Sequence, residues 1–452
     1  MIHKYRLGEF NIVVDVNSGS VHVVDNVTYD LLDLCGDCDF TEPRHESLDS
    51  LIRNHGEKEV QGAMSEIRFL INARKLFTPD PVPEKFKSSI QMPIKAMCLN
   101  ISHDCQLRCK YCFASHGNFG GSRALMSFEI ASGAIDFLIK NSGARRNLEI
   151  DFFGGEPLMN FGVIEKTVIY AKKMGKTYGK NFRFTLTTNG VALDDEKIDF
   201  INSEMSNVVM SLDGRKSIND SMRVNSLGHG CYESIINKFK KLINKRKNKD
   251  YYIRGTFTKK NLDFSKDLFS IYNLGFSKIS IEPAVLDNKV DFSIGNADLE
   301  KIFKEYEKIA YKIIDLKKNG SDIVFFHFVT EIDKSPCIIK RIKGCGCGNE
   351  YIAVTPEGDI YPCHQFVGVD KFKMGNITEN TFDMNIKECF STPNIYLNEK
   401  CEDCWAKFYC GGGCSANNWN FNKDIKKPYS ISCELQKKRT ECAVMINCAL
   451  YS

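Results

Sequence analysis

The sequence predicts an α/β protein built around an open, partial barrel of six strand–helix units, with a small unit in front and a cysteine-rich tail behind. Three observations predict it. From about residue 93 to 320, apolar strand-like runs alternate with helical periodicity. Pro79-Asp80-Pro81-Val82-Pro83 punctuates the chain ahead of that region and reads as a linker. From about residue 340, Gly, Cys and short turns replace long periodic segments until Cys433. The 452 residues also exceed the roughly 250–300 that one hydrophobic core sustains, so two or three domains are expected.

Residues 1–85 form the first expected domain. Strand-like runs at Phe10–Val14 and Val21–Val24 flank the turn residues Asn17-Ser18-Gly19, and helical patterns follow at Tyr29–Leu34, Leu48–Arg53 and Glu57–Ala73. Strands followed by short helices suit a winged helix-turn-helix, and a unit this small and polar suits binding rather than catalysis. In the second domain, 93–320, the strand-like runs are Lys95–Asn100, Leu148–Phe153, Phe182–Thr187, Val208–Leu212, Tyr252–Phe257 and Lys278–Ile281. The helical patterns are Ser127–Asn141, Val163–Met174, Glu196–Ile201, Glu233–Lys245, Asp263–Leu274 and Ala297–Lys317. Such repetition implies parallel strands joined by right-handed crossovers, and six units are too few for an eightfold barrel. The third domain, 340–452, is expected to fold around metal rather than around an apolar core.

Composition excludes several functions. Hydrophobic residues make up 43% and charged residues 26%, as in globular proteins. No apolar run approaches the roughly 18 residues of a membrane span, and MIHKYRLGEF has no secretory core, so a cytoplasmic placement without membrane attachment is expected. A net charge of +4 gives no reason to expect nucleic acid. The one dense basic stretch, Lys238–Lys249, carries Phe239, Leu242 and Ile243 at helical spacing and reads as a solvated helix face.

The 19 cysteines cluster: three lie between positions 105 and 112, nine between 345 and 433. A reducing compartment has little use for disulfides, so short fixed spacings point to metal. Cys105, Cys109 and Cys112 form CxxxCxxC with Tyr111 before the last, directly after the first strand of the α/β region. Iron–sulfur clusters usually take four thiolates, and three in one loop would leave one iron open to a ligand, as catalytic zinc sites keep an open position. On spacing alone, buried structural cysteines or part of a zinc site remain alternatives. Active sites of parallel barrels lie at the C-terminal ends of the strands. There the later strands carry Gly154-Gly155-Glu156-Pro157, Thr187-Thr188-Asn189-Gly190 and Ser211-Leu212-Asp213-Gly214, with Arg223 downstream. Paired glycines admit close approach, a carboxylate suits an ammonium, and Arg suits a carboxylate.

CxxxCxxC, GGEP, TTNG and SLDG in this order resemble the radical S-adenosylmethionine (SAM) superfamily across about residues 93–320. The resemblance implies that Cys105, Cys109 and Cys112 ligate a SAM-binding [4Fe–4S] cluster. It places Tyr111, Gly155, Glu156, Asn189, Ser211 and Arg223 at SAM-contacting positions. The implied chemistry is one-electron reduction of SAM, giving a 5′-deoxyadenosyl radical that abstracts hydrogen from substrate; the protein positions and shields it.

The tail carries Cys345, Cys347, Cys363, Cys401, Cys404, Cys410, Cys414 and Cys433. Zinc ribbons use similar CxxC pairs. The arrangement of an early Cys, Gly-x4-Cys, CxxCx5CxxxC and a closing Cys resembles the SPASM domain over about 340–435. That implies two auxiliary [4Fe–4S] clusters, for three in all. Cys401, Cys404, Cys410 and Cys433 would hold the distal one, and Cys345, Cys363 and Cys414 the nearer. Its fourth ligand is either Cys347 or a substrate thiolate. Cys35, Cys38, Cys98, Cys231, Cys337, Cys389, Cys442 and Cys448 read as small buried residues.

Leading unit, barrel and SPASM tail together resemble maturases of ribosomally made peptides, most of all those of SCIFF peptides, the short six-cysteine precursors. These sactipeptide and ranthipeptide maturases install thioether links from a Cys sulfur to an acceptor carbon. The resemblance implies a Cys-rich precursor held by its leader on residues 1–85, near Val21–Val24 or Ser65–Leu76, and an electron donor such as flavodoxin or ferredoxin. SPASM enzymes that make formylglycine carry a basic Asp after the Cys matching Cys363; this chain has His364. Carbon–carbon crosslinking, quinone-cofactor and formylglycine maturation share the motifs. A zinc-binding helix-turn-helix regulator is a more distant reading.

Overall fold

The computed structural model describes residues 1–34, 45–287, 289–330 and 338–451. Cys35, Cys38 and Cys337 lie outside them.

The chain begins with an antiparallel meander, β1 (Ile2–Leu7), β2 (Phe10–Asp15) and β3 (Val21–Val24), in that spatial order. The β2–β3 turn forms because Asp15 accepts hydrogen bonds from the Ser18 N–H and hydroxyl while Gly19 takes φ +76°. Helices α1 (Asn26–Leu31), α2 (His45–His55) and α3 (Glu57–Asn72) follow. Alternation along β2 splits its side chains between two cores. Val13 packs with Leu31, Leu51, Val60 and Ile67 beneath the helices, while Ile12 and Val14 face the main core of the molecule. The linker is pinned rather than free: Val82 is buried with Val16, Ile342, Ile395 and Phe408, and Asp80 accepts from the Tyr396 hydroxyl at 3.0 Å.

The expected six strand–helix units are present. Strands β4 (Ala96–Ser102), β5 (Asn147–Gly154), β6 (Asn181–Thr188), β7 (Asn207–Ser211), β8 (Asp250–Phe257) and β9 (Lys278–Pro283) lie side by side in chain order, all parallel. The helices between them are α4 (Phe128–Asn141), α5 (Phe161–Tyr178), α6 (Asp195–Glu204), α7 (Lys216–Met222), α8 (Tyr232–Arg246) and α9 (Phe264–Asn273), with α10 (Leu299–Lys318) after β9. Ser127 and Asp194 cap α4 and α6 by accepting from the N–H of Ile130 and Lys197, each worth about 1 kcal/mol. The basic stretch lies mostly on α8: Phe239 and Leu242 are buried, while Lys241 and Lys245 pair with Asp195 and Asp199 on the surface. β4 and β9 do not pair, so the barrel stays open. The far edge of β9 carries only the two-residue β10 (Val324–Phe325).

The tail corrects one expectation. It comprises α11 (Ile338–Ile342), β11 (Tyr351–Val354), β12 (Asp359–Tyr361), β13 (Gly375–Asn376), β14 (Thr381–Phe382), α12 (Met384–Ser391), α13 (Lys407–Cys410), α14 (Ser415–Asn422) and α15 (Ser430–Tyr451). It has an apolar core of its own, in which Phe366, Phe372 and Phe390 meet edge to face, with Trp419 against Phe372 and Ile425 beside them. β11 pairs parallel with β4, Tyr351 opposite Ala96, so barrel and tail share one eleven-stranded sheet. Cys98, Cys231, Cys442 and Cys448 are buried as expected. Cys389 is exposed, because it falls on the outer side of α12 while Phe390 and Ser391 turn inward.

Candidate functional site

The C-terminal ends of β4–β9 open into a cavity of about 370 Å³. Cys105, Cys109 and Cys112 line it, together with Tyr111, Gly155, Glu156, Asn189, Ser211 and Arg223. The structure therefore brings the sequence-selected residues of the first loop and the next three strand ends to one space.

The glycine pair serves a tighter purpose than ligand approach. Gly155 N–H donates to the Ser102 carbonyl at 2.8 Å and Glu156 N–H to the Asp104 carbonyl at 2.9 Å, docking the end of β5 against the cysteine loop. A Cβ on Gly154 would collide with the Ser102 carbonyl, and one on Gly155 with that of Asp104. Gly154 also takes φ +126°, a conformation open to glycine. Asp104 Oδ1 then accepts from the Cys105 N–H at 2.8 Å and starts the loop.

Glu156 is fully buried and knits three strand ends together. Oε1 accepts from Thr188 Oγ1 at 2.7 Å and from the Leu158 N–H at 3.2 Å; Oε2 accepts from the Asn189 N–H at 2.7 Å. Burial pushes its carboxyl up to about 7 against those three donors. Oε2 keeps acceptor capacity for one further donor. Asn189 Nδ2 reaches Cys105 Sγ at 3.5 Å, tying β6 to the loop. Arg223 is not a surface residue: it is 6% exposed, its Nη1 donates to the Tyr111 hydroxyl, and its Nε is buried without a partner. The Tyr111 hydroxyl is committed to Asp213 and Arg223, leaving its ring to face the cavity.

The tail contributes to the same space. Cys414, His364, Gln365 and Asn417 line the cavity alongside the first loop. His364 packs against the rings of both Phe153 and Phe113, with centroids 4.9 and 5.6 Å away, and its Nδ1 is buried without a hydrogen bond. The tail cysteines gather in two groups. The Cys347 thiol lies within hydrogen-bonding reach of Cys345 and Cys363, and Cys414 lies in their field. Cys401, Cys404, Cys410 and Cys433 lie in one another's field. Burial raises Cys105 and Cys414 to about 12 and Cys109 to about 11, so these sulfurs are thiols until iron supplies compensating charge.

The donor sets fit iron–sulfur clusters. They are all sulfur, the donor that iron–sulfur clusters take, three in the first loop and the rest gathered in the tail. The unpaired Arg223 Nε and the spare capacity of Glu156 fit the carboxylate and ammonium of SAM. Arg254, Thr256 and Glu282 also line the cavity. Sequence reading passed over them, since each sits mid-strand or at a strand end with no motif around it.

Comparison with known proteins agrees. Residues 99–257 match the radical SAM superfamily and residues 345–405 the SPASM iron–sulfur cluster-binding domain. The cysteine-type anaerobic sulfatase-maturating enzyme of Clostridium novyi is 25% identical over 334 residues, 70% of this chain and 86% of that enzyme. The radical SAM cyclopropyl synthase TigE of Paramaledivibacter caminithermalis is 25% identical over 343 residues, 71% of this chain and 68% of that enzyme. In fold, the structure of native anSMEcpe with bound AdoMet matches with a TM-score of 0.65 at 21% identity, covering 80% of this chain and 100% of its own. Among the described residues no helix is long and apolar enough to cross a membrane. This chain therefore joins a radical SAM domain to a SPASM domain, with S-adenosylmethionine and iron–sulfur clusters as its cofactors.

Proposed function

We propose that the chain is a peptide maturase that forms thioether links in a Cys-rich precursor. Cys105, Cys109 and Cys112 hold the SAM-binding cluster. Cys401, Cys404, Cys410 and Cys433 hold a distal auxiliary cluster, and Cys345, Cys363 and Cys414, with Cys347 in reach, a nearer one. Bound together, SAM and its cluster supply a hydrogen-abstracting radical. The observation that carries the reading is that Cys414 and the Cys105 loop face one cavity. A substrate there meets a radical source and an electron acceptor at once, which is what an oxidative bond formation needs. Glu156 and Arg223 orient SAM, and Phe113, Phe153 and His364 shield the space from water.

The leading unit supports a peptide substrate. β3 is an edge strand with Val23 48% exposed, and α3 presents Phe69 at 68%. An exposed strand edge suits strand addition by a leader, and an exposed aromatic on the same unit suits an apolar anchor, the role given to a winged-helix-like unit. The sulfatase-maturating relatives, named for action on proteins, favour formylglycine formation as the second reading. His364 in place of the Asp of that reaction speaks against it.

The test is to coexpress the chain with a six-cysteine precursor and analyse the product by mass spectrometry. Loss of two hydrogens per crosslink, with one cysteine each resistant to alkylation, supports the reading. An aldehyde product, or deoxyadenosine formed without loss of hydrogens from the peptide, overturns it.

A further inference from the structure

We propose that Arg254 and Glu282 form a subsite that grips the main chain of the substrate residue attacked by the radical, Arg254 donating to its carbonyl and Glu282 accepting from its N–H. This rests on the peptide-maturase reading and adds residues that no motif assigns.

The two side chains stand on neighbouring parallel strands. Arg254 pairs with Ser280 and Thr256 with Glu282, so Arg254 and Glu282 are diagonal neighbours on one face, and both line the cavity. Such a pair ordinarily closes into an ion pair. Here no ion pair joins them, and among the described residues the Arg254 guanidinium has no hydrogen-bond or ionic partner. Arg254 is exposed and Glu282 30% exposed at the cavity wall, so water meets both charges until a polar group able to satisfy the two together displaces it. A main-chain amide is such a group, with an acceptor and a donor on one short segment.

Glu282 is held from behind rather than satisfied. Ser280 Oγ lies 3.3 Å from Oε1, and His327 Nε2 lies 3.4 Å from it without forming a hydrogen bond. Burial alone would raise this carboxyl, but His327, Arg254 and Arg439 together pull it down to about 2. It is a fixed anion, suited to recognition and unsuited to taking a proton near neutrality. Arg439 comes from α15, where its Nε donates to the Tyr306 hydroxyl at 2.8 Å and its Nη2 is buried without a partner. The SAM end is provided for separately by Glu156, after β5, and Arg223, at the C-terminal end of α7. The second cation–anion pair is thus free for peptide.

The test uses the cluster-loaded enzyme, the six-cysteine precursor, and the same precursor N-methylated at the acceptor amide. Glu282→Gln and Arg254→Gln are expected to raise the KM for precursor about tenfold, roughly one charge-assisted hydrogen bond. They should leave unchanged the shift that SAM produces in the electron paramagnetic resonance spectrum of the reduced cluster. N-methylation should weaken binding to the wild type about tenfold and to Glu282→Gln hardly at all. Arg254→Lys, which keeps a donor and guards against a folding defect, should recover part of the affinity. Unchanged precursor KM in both Gln variants, or loss of the SAM-induced shift, overturns the subsite. If the wild type gives a product other than a thioether while the N-methyl pattern holds, the subsite stands and the thioether reading fails.

Discussion

Arg223 Nη1 donates to the Tyr111 hydroxyl at 2.8 Å, and that hydroxyl donates in turn to Asp213 at 2.6 Å. The tyrosine of the cysteine loop is thus the hinge pin between the iron end of the site and the arginine expected to meet SAM. Tyr111→Phe leaves the fully buried Asp213 one donor short and takes the hydroxyl acceptor from Arg223, which keeps its ion pair with Asp213 at 3.9 Å. A stability loss of about 1–3 kcal/mol is expected in thermal denaturation. SAM affinity, titrated by the spectral shift of the reduced cluster, should fall about tenfold.

The two ends of the chain should lose iron independently. Cys105→Ala is expected to remove about four irons per chain and abolish SAM cleavage, and Cys433→Ala to remove about four others while leaving peptide-free SAM cleavage measurable. Iron and sulfide assays on the two variants and the double variant check this. If Cys433→Ala stripped the Cys105 loop as well, the partition into separate clusters would be wrong.

Asp151 shares the inward face of β5 with Phe153 and is pushed up to about 7 by burial and by Glu149, against a hydrogen bond from Thr185. Its raised value means the folded state favours the protonated form. The cost of ionisation is absent below about pH 4, grows from there and is complete above about pH 7. Asp151→Asn removes that cost. The variant should match the wild type in denaturant unfolding at pH 4 and exceed it at pH 8, by at most about 4 kcal/mol. No difference at pH 8 would show that Asp151 is solvated.

Phe69→Ser and Val23→Asp are expected to weaken precursor binding about tenfold each, the scale of one lost apolar anchor. SAM cleavage without peptide should be unchanged. Fluorescence anisotropy with a labelled leader peptide reads the first, and deoxyadenosine assays the second.

The legible and illegible parts of the molecule divide along a physical line. β4–β9 were readable because parallel strands between helices and a barrel interior carry dense apolar patterns, nearly continuous in MCLNIS of β4 and alternating in LEIDFF of β5. β1 was not, since IHKYRL faces the core with only Tyr5 and Leu7 and spends its other positions on polar contacts. Iron ligands announce themselves because coordination constrains local spacing. Arg254 and Glu282 do not, since their meaning comes from strands that adjoin only after folding. The glycines at 154 and 155 were rightly singled out, yet backbone docking against Ser102 and Asp104 is what demands them. The aromatic core of the tail was missed because Phe366, Phe372, Phe390 and Trp419 are scattered among turns and show no period.

Helix α15 carries Cys433, the cysteine expected to close the distal cluster, in its first turn and then reaches the barrel and the leading unit. Arg439 sits behind Glu282. Glu441 meets His3 at 3.1 Å and accepts through its carbonyl from the Tyr5 hydroxyl, and Asn447 reaches Thr330. A rigid spar with three attachments transmits slack from any one of them. If a leader docks on the proposed unit and that docking favours iron loading through α15, iron loading must favour docking by the same factor. Bound leader should then slow the release of iron to a chelator, and Glu441→Ala, which removes the His3 contact but keeps the Tyr5 one, should reduce that protection while leaving both occupancies possible.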